Sequence, residues 1–252
     1  MRSKKSLNLD ITVIIPCYNS GFSILRTLQS LKSQTYKNFS IIIINDGSND
    51  LVTSKILKNI SDKKVRVINQ KNTGLASARN TGILNCSTEF ILPLDADDWL
   101  ASNALETFIL FFKKKKKYDY VYSNIVNQDQ STGSLEKHYN YFEQLFSNQI
   151  PYCIFIRTDV LKKVGMYDVA MQNGFEDWEL NIRLGKKGFV GHSINKDLFF
   201  YNVSNEGMLK SLSIKNFADI YGYIRKKHKE LFKFYSLLKH YQKYWNKKSS
   251  HI

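Results

Sequence analysis

The first 112 residues alternate short, almost wholly apolar runs with stretches of helical spacing, and that alternation leaves few folds open. Ile11–Ile15, Ser40–Ile44, Val65–Ile68 and Phe90–Leu94 are rich in β-branched residues and too short to be helices. Between them, Phe22–Gln34 carries Ile24, Leu25, Leu28 and Leu31 at helical intervals, and Leu51–Ile60, Leu75–Leu84 and Ala101–Phe112 also read as helices. Strands that alternate with helices build βαβ units with right-handed crossovers. Because the strands are apolar on both sides, helices are expected to cover both faces of the sheet. The prediction is an α/β fold: a mixed, mostly parallel Rossmann-like sheet flanked by helices.

In such a sheet, ligands bind outside the carboxyl ends of the strands. Pro16-Cys17-Tyr18-Asn19 follows the first strand and Asn45-Asp46-Gly47-Ser48 the second. Asn72-Thr73-Gly74 and Ala78-Arg79-Asn80 follow the third, and Asp95-Ala96-Asp97-Asp98 the fourth. The turn Asp95-Ala96-Asp97 can hold a hard cation and leave positions open for phosphate oxygens. Its plainer reading is a cap on the helix at Ala101. Asp46 can accept a ring N–H from a pyrimidine base, with Tyr18 over the base; the plainer reading is a turn that caps the next helix. Glu176-Asp177 opens a helix over Glu176–Lys187 after a flexible lead-in, Asn173-Gly174-Phe175. One of the pair can take the proton of an attacking hydroxyl. The plainer reading is an acidic pair favoured by the helix dipole.

The middle of the chain reads as strands over Tyr118–Val126 and Pro151–Ile156, a turn-rich stretch over Asp129–His138 and a short helix over Thr158–Lys163. The division expected is a nucleotide-binding and catalytic domain over residues 1–205 and a basic helical segment over residues 206–252. From Lys210 to Ile252 there are 11 Lys and Arg against 2 acids. With Phe232, Phe234, Tyr235, Leu238, Tyr241 and Trp245 among them, one or two amphipathic helices can rest on anionic lipid. The alternatives are packing on the catalytic domain or on the partner in a homodimer. The whole chain carries a net charge of +15, which suits an anionic partner or a solubilising lysine coat equally. No nucleic-acid motif accompanies that charge, so nucleic acid is not an expected partner. Three widely spaced cysteines argue for reduced thiols in a cytoplasmic protein. The first apolar run stops at Pro16, too short for a signal peptide or a membrane span.

Taken in order, Ile11–Asn19, Gln34-Thr35-Tyr36, Ile44–Ser48, Asn72–Asn80, Leu94–Asp98 and Gly174-Phe175-Glu176-Asp177-Trp178-Glu179-Leu180 resemble the large bacterial family 2 of glycosyltransferases. The resemblance covers about residues 10–205. It implies a glycosyltransferase-A fold, a nucleotide-sugar donor (often uridine diphosphate), a Mn²⁺ or Mg²⁺ ion and inversion by single displacement. It implies Pro16, Tyr18 and Asp46 at the nucleoside, and Gly74 and Arg79 beside the base, ribose or phosphates. It further implies Asp95 at the ribose or sugar and the metal, Asp97 as a metal ligand, and Asp177 as the general base ahead of Glu176. The acceptor implied is a glycan or lipid-linked glycan of surface polysaccharide or lipooligosaccharide synthesis, at the inner face of the cytoplasmic membrane. Two departures stand out. Asn202 and Ser204 occupy places where many members carry an arginine and a metal-ligating histidine, which opens the alternative of a catalytically degenerate sugar-nucleotide-binding protein. His192 is nearby in sequence, but a lone strand histidine reads first as structural. The Gln-x-x-Arg-Trp signature of processive synthases is absent, so single addition is expected.

Overall fold

The structure is a computed structural model that describes residues 11–127, 134–135, 139–202 and 215–249. In chain order the first half contains β1 (Ile11–Cys17), α1 (Ser23–Lys32), β2 (Phe39–Asp46), α2 (Leu51–Lys58), β3 (Val65–Gln70), α3 (Leu75–Leu84), β4 (Phe90–Pro93), β5 (Trp99–Leu100) and α4 (Ala104–Lys114). The second half adds β6 (Tyr120–Asn127), β7 (Ser134–Leu135), α5 (Tyr141–Gln144), β8 (Phe155–Arg157), α6 (Thr158–Val164), α7 (Glu176–Lys186), β9 (Gly191–Tyr201), α8 (Phe217–Lys227) and α9 (Phe234–Ser249).

The strands form one sheet in the order β3-β2-β1-β4-β8-β6-β9-β5, with β7 paired to β6. β1, β2, β3 and β4 run parallel, as the alternation predicts. β8 pairs antiparallel with both β4 and β6, so β6 and its parallel neighbour β9 point the same way as β1. The ends of β1, β2, β3, β4, β6 and β9 therefore share one edge of the sheet.

All seven residues of β1 are buried, as a central strand covered on both faces requires. One apolar layer joins Ile11, Val13 and Ile15 to α1 and α4 through Ile24, Leu31, Phe108 and Phe112. The other packs Ile14, Ile91 and Tyr122 against α3, α6 and α7 through Ile83, Leu161 and Leu180. The Lys113–Lys117 run closes α4, where cations meet the negative end of the helix dipole.

The basic C-terminal stretch forms α8 and α9. α8 does not stand apart: Ile220, Ile224 and Leu231 share a core with Trp178 and Ile182 of α7 and with Leu145 and Met171. Trp178 stacks on Tyr221 at 5.5 Å between ring centroids, tilted by 4°. Buried Glu179 of α7 is met by Arg183, by His228 at 2.9 Å and by Lys227 at 2.8 Å. α9 keeps Phe234 and Tyr235 on the surface, 72% and 83% exposed. The side chain of Trp245 and most of Asp129–His138 lie outside the described residues. No helix among the described residues is long and apolar enough to cross a membrane.

Candidate active site

The site begins where β1 and β2 end. Asn19 has a left-handed backbone with φ 48. Its N–H donates to Ser48 Oγ at 3.1 Å, its Nδ2 donates to Asn49 Oδ1 at 2.7 Å, and its Oδ1 accepts from the Asn49 N–H at 2.9 Å. The two loops are thus stitched together, with Pro16 buried beneath them and Tyr18 half-exposed beside them. Asp46 closes β2 but does not cap α2. Asp50 does, accepting the Thr53 N–H at 2.7 Å, an interaction worth about 1 kcal/mol. The buried Asp46 carboxylate accepts instead from Gln70 Nε2 at 2.7 Å, the Thr73 N–H at 3.0 Å and the Gly74 N–H at 2.9 Å. One side chain so joins β2, β3 and the entry to α3. Gly47 permits the approach: its φ is +72, and a Cβ there would stand 2.6 Å from Asn72 N. Gly74, at φ +91, makes the turn into α3.

Arg79 sits one turn into α3 and is only 1% exposed. Its Nη2 donates to Asp95 Oδ1 at 2.8 Å and its Nη1 to Glu176 Oε1. The rings of Tyr152 and Tyr167 lie 4.9 and 5.3 Å from the guanidinium carbon. The buried cation is compensated by two carboxylates and two aromatic faces, while its Nε meets no hydrogen-bond acceptor among the described residues. Arg79 thus links the turn after β4 to the start of α7.

Asp95, Asp97 and Asp98 follow β4 in one tight turn. They do not cap α4, because β5 intervenes and Asn103 takes the cap position. Asp98 is buried; its carboxylate accepts from the Tyr152 hydroxyl and from the Asn202 N–H at 2.7 Å. Tyr152 in turn accepts the Asp95 N–H at 3.0 Å. Burial, then the charges of Asp95 and Asp97, push the Asp98 pKa well up. Burial and the neighbouring Asp95 raise Asp97 to about 6. Three acids crowded this closely call for positive charge.

Glu176 and Asp177 open α7. The lead-in is not loose: Gly174 and Phe175 both have positive φ, 94 and 59, and the Phe175 ring packs edge-on against Trp178. Glu176 is turned inward to Arg79, so its role exceeds that of a charge at a helix end. Asp177 accepts from Asn148 Nδ2 at 2.7 Å. Burial and the adjacent Glu176 raise its pKa, while Arg79 and the Asn148 hydrogen bond oppose the rise.

The two acidic elements meet. Tyr201, at the end of β9, has its hydroxyl pKa raised by burial and then by Asp98, Asp95, Asp97 and Asp177 together. Tyr167, raised chiefly by burial, feels Arg79, Glu176, Asp177 and Asp95. The turn after β4, the end of β9 and the start of α7 thus come together, Arg79 joining Asp95 to Glu176 and Asp98 meeting the Asn202 N–H, with the β1 and β2 loops along the same sheet edge. His192 lies elsewhere, near the start of β9, stacked on Phe111 at 4.9 Å. Ser204 lies outside the described residues. Sequence reading missed Tyr152 and Asn148. Neither sits in a motif, and only the sheet order brings them to the cleft.

Among the described residues, no three His, Cys, Asp or Glu side chains are grouped so as to hold a metal ion by themselves. Asp95 and Asp97 form a pair of hard oxygen donors whose mutual repulsion a divalent cation relieves. Such a pair fits an ion whose remaining positions are filled by phosphate and water.

An open sheet of this order, acidic along its carboxyl edge, defines the glycosyltransferase-A class of α/β fold. Residues 12–173 match the model of glycosyl transferase family 2, and the chain belongs to that family. Glycosyltransferase GlyA of Streptococcus pneumoniae is 30% identical over 77% of this chain and 30% of its own length. The Escherichia coli UDP-Glc:alpha-D-GlcNAc-diphosphoundecaprenol beta-1,3-glucosyltransferase WfaP is 29% identical over 77% of each chain. The chain spans less than half the length of the pneumococcal relatives it matches, 30% of GlyA and 42% of GlyG. The structure of S. aureus TarS 1–349 in complex with UDP-GlcNAc superposes with a TM-score of 0.72 at 18% identity, over 85% of this chain and 65% of that one, which is a likeness of fold.

Proposed function

We propose that this chain is an inverting, non-processive glycosyltransferase that moves a hexosyl or N-acetylhexosaminyl group from a uridine diphosphate sugar to a hydroxyl of a glycan or lipid-linked glycan. The observation that supports the reading is that Arg79 pairs with both Asp95 and Glu176, which brings the Asp95–Asp98 turn and the helix start that carries Asp177 to one place at the sheet edge.

Pro16, Tyr18, Asp46 and Gly74 form the nucleoside end. Tyr18 covers the base, and Asp46 orders the loop beneath it. Asp95 and Asp97 would hold a Mn²⁺ or Mg²⁺ ion, which neutralises the diphosphate as it leaves. Asp177, raised by burial, accepts the acceptor's hydroxyl proton. The acceptor oxygen bonds to the anomeric carbon as the bond from that carbon to the phosphate oxygen breaks, and the configuration inverts. Arg79 keeps Asp95 and Glu176 at fixed spacing across the cleft. WfaP supports a uridine diphosphate donor and a lipid-linked acceptor by its name, and the TarS complex supports the donor class. Phe234 and Tyr235 on lysine-rich α9 suit peripheral contact with anionic lipid at the inner face of the cytoplasmic membrane.

The test is a screen of nucleoside diphosphate sugars for Mn²⁺-dependent release of the nucleoside diphosphate. Consumption of none, with uridine diphosphate still bound, would favour the second reading, a sugar-nucleotide-binding protein without turnover. Asn202, which follows β9 where the family resemblance implies an arginine, is what favours that reading.

A further inference from the structure

Asn148 lies in the turn between α5 and β8 and donates from Nδ2 to Asp177 Oδ2 at 2.7 Å. Which way an asparagine amide points is decided by its other partners. Here those partners form a relay. The Gln149 N–H donates to Gln144 Oε1 at 2.8 Å, which turns Gln144 Nε2 toward Asn148 Oδ1 at 3.2 Å. Asn181 Nδ2 donates to the same Asn148 oxygen at 3.3 Å. With its oxygen facing two N–H donors, Asn148 must present its own N–H to the carboxylate. Trp178 Nε1 ties the relay to α7, donating to the Gln144 carbonyl at 2.7 Å. Gln144 and Asn181 are buried, so the turn cannot swing away without stranding buried polar groups.

We propose that Asn148 is the positioning residue of Asp177: it fixes that carboxylate's rotamer and favours its ionised form, acting through Asp177 and not on the substrate. This rests on the reading of Asp177 as the general base. The charged and titratable groups facing Asp177 are Glu176 on its own helix, Arg79 from α3, Tyr167 from the α6–α7 connection and Tyr201 from β9. Burial and Glu176 favour the protonated form, and Arg79 favours the ionised one. Two neutral donors also meet the carboxylate, the Trp178 backbone N–H and Asn148, and removing the Asn148 side chain leaves that charge balance untouched.

The test is the pH dependence of kcat/KM for hydrolysis of UDP-glucose and UDP-N-acetylglucosamine by the full chain with Mn²⁺. Asn148→Ala removes a hydrogen bond to the ionised form, so the acid limb moves to higher pH by about one unit. The rate loss is about tenfold below the limb and shrinks as pH rises. Asn148→Asp keeps the shape but replaces the donor with a like charge, and its limb moves at least as far. It also carries the test if the alanine variant does not fold, with folding read from the near-ultraviolet circular dichroism of the Trp178–Tyr221 stack. A limb that stays put in a folded variant, or a loss equal at every pH, overturns the proposal. Full turnover by Asp177→Asn would remove the base reading itself. An inactive Asp177→Asn with an unmoved limb for the Asn148 variants would remove only the role of Asn148.

Discussion

Arg79 on α3 and Glu176 on α7 stand 97 residues apart in sequence and meet as a buried ion pair. The second guanidinium nitrogen takes Asp95, so a single side chain spans the acidic turn and the helix that carries Asp177. Breaking such a pair on one side leaves an uncompensated buried charge. Arg79→Met should lose about 3–5 kcal/mol of stability. Adding Glu176→Gln to that variant removes one stranded charge and should restore part of the loss. Urea denaturation of the two single variants and the double variant measures the coupling. Additivity would show that the pair does not bridge the two elements.

Arg79 offsets the charge of Asp95, whereas Asp97 is raised by burial and by Asp95. Asp97→Ala should weaken uridine diphosphate binding at least tenfold in the presence of Mn²⁺. Its fold should hold, because the side chain is half-buried and the turn is pinned by Tyr152 and Asn202 through Asp98. Chelation with EDTA should reproduce the defect in the parent protein and add little in the variant. Calorimetry with and without the metal separates these arms. Equal nucleotide affinity in all of them would dissociate Asp97 from cation binding.

Much of this architecture was legible in the chain. Leu75–Leu84 is a helix over the residues its spacing predicts, and β1 to β4 fall where apolar runs meet polar turns. β5 escaped notice because two residues, Trp99 and Leu100, have no periodicity; only pairing with Phe199 and Phe200 makes them a strand. Tyr152 falls within the run expected as the strand Pro151–Ile156, whereas the strand begins at Phe155. Its hydroxyl gained a role only when β8 was inserted antiparallel between β4 and β6. Arg79 lay in a motif yet turned inward, since no linear pattern says that Glu176 will arrive to meet it. The aromatic residues of the C-terminal stretch suited lipid and protein alike by composition. The structure divides them, giving Tyr221 to the core with Trp178 and leaving Phe234 and Tyr235 exposed.

The junction between α7 and α8 should respond to acid. Burial alone would raise Glu179, but hydrogen bonds from His228 and Arg183 outweigh it and bring its pKa down to about 2 from an ordinary 4.5. A carboxylate depressed in the folded state contributes stability above its unfolded value and loses it as pH falls through its folded value. Stability should therefore decline between pH 4.5 and about 2 as this cluster is protonated, with Asp168, also lowered to about 2, following the same course. Glu179→Gln should cost about 3 kcal/mol at pH 7 and flatten that decline. Denaturant titrations across this range, read from the Trp178–Tyr221 stack, would detect it. An unchanged acid profile in the variant would place the sensitivity elsewhere.

Asp177 makes the sharpest kinetic prediction. A base must be ionised to accept a proton, and burial beside Glu176 makes Asp177 harder to ionise than an ordinary aspartate. The rate of sugar transfer should climb with pH through a limb above the usual carboxylate range and then level off. Asp177→Asn removes the acceptor of the proton but keeps the shape and a partner for the Asn148 turn. Turnover should fall by about 10²–10⁴-fold while uridine diphosphate affinity stays within a few fold, the signature of lost chemistry rather than lost binding. Glu176→Gln should behave differently, since that carboxylate is held by Arg79: stability should drop along with the rate, and the surviving activity should keep an acid limb, moved to lower pH because the Glu176 charge no longer opposes ionisation of Asp177. If Glu176→Gln erased the limb and Asp177→Asn kept it, the roles of the two acids would be exchanged.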